Sequence, residues 1–90
     1  MVVFYHANDG KHKYVAEFHN PYQLVPFGAL GYEDFTIHGD KKRKTAYLRR
    51  HRKNEDWTNP RTAGALSRYI LWNKPTIEQS IKDFEKRFNV

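Results

Sequence analysis

The sequence predicts one small α+β domain: an N-terminal β-hairpin or three-stranded meander, followed by three helices. Three observations predict it. Two β-branched and aromatic runs, "VVFYHA" at 2–7 and "KYVAEF" at 13–18, flank an Asp9-Gly10 pair suited to a tight hairpin turn. Ile77, Ile81, Phe84 and Phe88 recur at helical spacing near the C-terminus. Between them, residues 41–53 carry eight of the chain's 16 Lys and Arg, behind Asp40, a residue type that caps helices. Ninety residues make one domain with a modest core of its own.

Residues 1–30 read as β-rich. Beyond the hairpin, "QLVPFGAL" at 23–30 predicts a third strand, and Pro26, which has no amide donor, places it at an edge. Gly28 and Gly31 permit a sharp change of direction after it. Residues 40–54 predict a basic helix with Asp40 as N-cap. Ala46, Tyr47, Leu48 and His51 give it only a narrow apolar stripe, so most of its surface faces solvent or a partner. Residues 62–73, "TAGALSRYILWN", predict a second helix with Leu66, Tyr69, Ile70 and Asn73 on one face, and Pro75 follows its end. Residues 76–89 predict an amphipathic C-terminal helix. Thr76 and Gln79 form a capping-box pair, and Lys86 and Arg87 suit its negative end. Its apolar stripe is core material.

The charge is local. The net charge is +6, yet outside residues 41–53 eight basic residues face ten acidic ones. Such a patch points to an anionic partner, either nucleic acid, an acidic protein surface or anionic lipid. The plain alternative is a solvated helix face that keeps a small protein soluble. With no Cys there is no disulfide and no thiolate chemistry. No apolar run approaches the roughly 20 residues of a membrane span, and the N-terminus lacks the basic start of a signal peptide.

Chemistry-bearing constellations are sparse. His6, His12, His19, His38 and His51 show no metal-ligand spacing, so no metal or cofactor is expected. The hydroxyl residues sit in no nucleophile motif. The carboxylate pairs Glu33–Asp34 and Glu55–Asp56 flank expected helix ends, where a cap or a salt bridge to the basic segment explains them. A chain this short leaves little room for a cleft of several hundred cubic ångströms. The sequence therefore predicts no enzyme and no small-molecule substrate. The partner-binding candidates are Lys41, Lys42, Arg43, Lys44, Arg49, Arg50, Arg52 and Lys53 on the basic helix, with Tyr32 and Trp57 as aromatic anchors. Trp72 reads more as core. Nothing marks a base-reading set, so nucleic-acid binding through these cations would have low sequence specificity.

Two stretches carry a resemblance: "FGALGYEDFTIHGDKKRKTAYLRRHRKNEDW" and "TAGALSRYILWNKPTIEQSIKDFEKRF". It rests on Gly31, Tyr32, Asp34, Phe35, His38, Asp40, Arg43, Tyr47, Arg50, His51, Glu55, Trp57, Thr62, Ala63, Gly64, Ser67, Leu71, Trp72, Asn73, Lys74 and Pro75. From Gly28 to Phe88 the chain resembles small, mostly uncharacterised proteins encoded by large nucleocytoplasmic DNA viruses of the algal, amoebal and iridovirus types. It departs from their pattern at Ala65, where a Phe or Trp is common. The resemblance implies a viral origin and no chemistry; the expected location is the virion, with the protein made in the cytoplasm of an infected host cell. A minor capsid or cement protein fits it, bridging acidic surfaces of other capsid proteins through the basic helix and the aromatic anchors. The alternative is a small basic viral nucleic-acid-binding module.

Overall fold

The computed structural model describes residues 2–90. The Asp9 carboxylate closes the first turn, accepting from the backbone N–H groups of Lys11 and His12 at 2.9 Å each, while Gly10 takes φ 73°. The flanking strands β1 (Val2–His6) and β2 (His12–Phe18) pair antiparallel, with Val2 opposite Phe18 and His6 opposite Tyr14. The third strand, β3 (Gln23–Ala29), pairs with the other edge of β2, Val15 opposite Pro26. The sheet order β1-β2-β3 leaves Pro26 on an edge strand, as its missing donor requires.

Four helices follow among the described residues, one more than the three expected. The addition is α1 (Phe35–His38), a single turn. Asp34 caps it, accepting from Thr36 N–H at 2.9 Å, and Gly39 ends it at φ 63°. Four residues are too few to show a periodicity, which is why the pattern did not reveal them. The basic helix α2 (Lys41–His51) begins behind Asp40 as predicted, whose carboxylate accepts from the N–H groups of Lys42 at 2.9 Å and Arg43 at 3.3 Å. It stops at His51, short of the expected residue 54.

The helix expected over 62–73 changes pitch. Thr62 caps α3 (Ala63–Leu66), its hydroxyl accepting from Ala65 N–H at 3.1 Å. Ser67–Leu71 then forms a π-helical turn, closed by Trp72 N–H on the Ser67 carbonyl at 3.1 Å. In a regular α-helix Leu71 would stand about 100° round from Ile70. The wider turn brings it inside, and Leu66, Ile70 and Leu71 are all buried. Finally α4 (Ile77–Phe88) starts at Thr76, whose hydroxyl accepts from Gln79 N–H at 3.2 Å, and ends on Asn89 at φ 56°.

One face of the sheet packs on α3, the π turn and α4. The core joins Val2, Ala16, Phe18, Val25 and Phe27 to Leu66, Ile70, Leu71 and Phe84. Phe4 sets its ring edge-on to both Phe27 (6.2 Å) and Phe84 (5.8 Å). Ile77, Ile81 and Phe88 pack against this cluster, so the C-terminal stripe is core, as its spacing predicts. Among the described residues, no helix is long and apolar enough to cross a membrane. The basic helix α2 lies outside the core.

Candidate functional site

Only Tyr47 is buried on α2, so the narrow apolar stripe read from sequence is narrower still. Its ring stacks on Trp72 on one side and on His51 on the other, at centroid distances of 4.2 and 4.1 Å. Burial pushes the Tyr47 hydroxyl pKa well above the usual phenol range, with the Glu55 charge adding to the effect. The Lys44 ammonium donates to the Asn73 carbonyl at 2.7 Å and lies 4.9 Å from the centre of the Phe35 ring. Burial lowers its pKa, assisted by Arg68, Lys74 and Lys41.

These contacts divide the eight candidate cations. Lys44 is a tether inside the molecule. Arg43 donates to Glu33 at 3.1 Å across an exposed pair. Lys41, Lys42, Arg49, Arg50, Arg52 and Lys53 are exposed and pair with no carboxylate among the described residues. The aromatic candidates separate too. Tyr32 is 72% exposed. Trp57 is half-buried, its indole N–H donating to Glu55 at 2.9 Å and the Arg68 guanidinium lying 5.5 Å from its ring.

The carboxylates near the expected helix ends act as caps and braces. Asp34 is 2% exposed, pairs with Lys13 of β2 at 2.6 Å and caps α1. Glu55 accepts from Trp57 on one oxygen and meets His51 Nδ1 at 3.2 Å on the other. Asp56 accepts from the Thr58 hydroxyl and from Thr58 N–H, and these bonds hold its pKa below the usual carboxylate value. Three of the other histidines have similarly local partners. His12 meets Asp9 at 2.6 Å, His19 meets Glu17 at 2.8 Å, and His38 Nδ1 accepts from Asp40 N–H at 2.9 Å.

One expectation is overturned. The chain does have a cleft, about 590 Å³, between β3 with the loop after it and the inner flank of α2, floored by the start of α3 and by Leu71. Length alone argued against it. But α2 is propped off the sheet by the Tyr47–Trp72 stack and the Lys44 tether, and the space beneath it is lined by small residues: Gly28, Ala29, Ala46, Ala63 and Gly64. The residues of the resemblance are scattered from position 31 to 75. The fold gathers Tyr32, Asp34, Arg43, Tyr47, Arg50, His51, Glu55, Gly64 and Trp72 around this cleft.

Sequence reading missed Arg61. It donates to the carbonyls of Pro21 at 2.8 Å and His19 at 3.1 Å and lies over the Phe18 ring at 4.8 Å, pinning the β2–β3 turn to the helical layer. Nothing local signals this, since its partners lie about 40 residues away.

No curated protein and no solved structure matches the chain. One family model does, over residues 2–51, the stretch from β1 to the end of α2. That is more than half of the sequence, and the chain belongs to this family of unknown function, DUF5754.

Proposed function

We propose that the chain is a small structural protein of a large DNA virus particle, a minor capsid or cement component, that grips acidic patches on neighbouring subunits with the solvent face of α2. One observation carries the adhesive part of this reading. Among the described residues, six unpaired cations stand exposed round or just beyond a helix that Tyr47 and Lys44 lock to the rest of the fold. Guanidinium forks take carboxylates in two-point contacts, and a helix held in place presents them at fixed spacing with less ordering cost. The viral context comes from the resemblance of residues 28–88. The same cations could meet phosphate instead. They do not form a single stripe, however: Lys41 and Arg50 stand about 180° apart round the helix axis.

The test is to separate purified particles into shell and DNA-containing core and count copies in each by mass spectrometry. Many copies in the shell support the reading. Enrichment with the genome reassigns the arginines to phosphate, and absence from the particle overturns both.

A further inference from the structure

We propose that the cleft beneath α2 is a binding site for a small organic carboxylate with an apolar or aromatic body. This site lies on the inner flank of α2, shares Arg50 with the exposed cations above, and does not rest on the adhesive reading. Its size falls within the roughly 300–1,000 Å³ typical of small-ligand pockets, at about 590 Å³.

The charges around it select the ligand. Three carboxylates line the cleft, and each already has a cationic or histidine partner: Asp34 with Lys13 at 2.6 Å, Glu33 with Arg43 at 3.1 Å, and Glu55 with His51 at 3.2 Å. A cationic ligand would have to displace one of these partners. Arg50 is the lining cation with no carboxylate of its own among the described residues, and its planar fork matches a ligand carboxylate. A phosphate dianion would bring surplus charge beside three carboxylates, which costs affinity.

The walls select the body. Ala46, Ala63 and Leu71 leave apolar space, and Tyr32 stands at the mouth, 72% exposed and free to lie over a bound ring. Gly64 is bare for a local reason: a Cβ there would come within 2.9 Å of the Glu55 carboxyl carbon. The Tyr47–Trp72 stack and the Lys44 tether hold α2 off the sheet, so the site is formed before the ligand arrives.

The test is a ¹⁵N–¹H NMR titration of the full chain at pH 7 with 3-phenylpropionate, carried into the millimolar range. 3-Phenylpropionamide and inorganic phosphate serve as controls. Saturable shifts are expected at the amides of Ala46, Arg50, Ala63 and Gly64. The neutral amide should bind about tenfold more weakly, as a lost charge-assisted contact implies. Arg50→Ala should weaken the acid by a similar factor, Ala63→Trp should abolish binding by filling the cleft, and Arg49→Ala should leave it unchanged. No saturable shift overturns the proposal. So does equal binding of acid and amide to the unaltered protein, a comparison that needs no variant to fold. Tighter binding of phosphate than of the acid also overturns it.

Discussion

The rings of Tyr47 and Trp72 lie parallel, 4.2 Å apart between centroids and 4° apart in plane. This stack joins α2 to the end of the π turn, and so to the core. It also fixes how far α2 stands from the sheet, which sets the width of the cleft below.

Removing that stack should free α2 before the rest of the fold. Tyr47→Ala is expected to cost about 3 kcal/mol, in the range for a buried ring cut to a methyl group. Urea denaturation gives the magnitude. Amide hydrogen exchange gives the location: residues 41–51 should exchange faster while β2 and α4 keep their protection. Uniform acceleration throughout the chain would show that α2 is no separate unit.

Among the described residues, the Lys13–Asp34 pair is the one ion pair whose members are both largely shielded from water, with 14% and 3% of their side chains exposed. Lys13→Met leaves the Asp34 charge without its cation, and the expected loss is about 3 kcal/mol. Because Asp34 also caps α1, the loop over residues 31–40 should loosen, read as faster exchange at Thr36 and Gly39. A stability change below about 0.5 kcal/mol would mean that water replaces the lysine at little cost.

The eight cations of the basic run should fall into two groups by calorimetry and binding. Lys44→Ala loses its bond to the Asn73 carbonyl and should cost about 1 kcal/mol of stability. Arg49→Ala, exposed and unpaired, should change stability by less than about 0.5 kcal/mol. It should instead weaken binding to an acidic partner in a salt-dependent way. The reverse pattern would mean that the division drawn from the contacts is wrong.

Acid should destabilise the protein partly through Asp83. Burial acts to raise its pKa, but the Asn73 amide at 2.6 Å and the Arg87 guanidinium outweigh it, and the folded value lies below the ordinary 3.8. As pH falls from 3.8 the unfolded chain takes up the proton first. The stabilisation present above that value is therefore lost as pH drops through the folded value. Asp83→Asn should flatten this acid limb of the urea midpoint against pH, and an unaltered slope would exclude Asp83 as a contributor.

Local sequence determined a good deal of this protein. The hairpin at Asp9-Gly10, the edge position of Pro26, the start of α2 at Asp40 and the extent of α4 all depend on neighbours within about one turn. A dihedral preference, a cap or a periodicity expresses them directly. Tertiary structure decided the rest. Whether Lys44 is free or tethered depends on Asn73, 29 residues on, and the setting of Asp34 depends on Lys13, 21 residues back. The π turn places Leu71 in the same core as Leu66 and Ile70. The cleft exists because a stacked pair of rings holds a helix away from a sheet. Such relations depend on which distant side chains meet after the chain has closed, and no window of neighbouring residues contains that information.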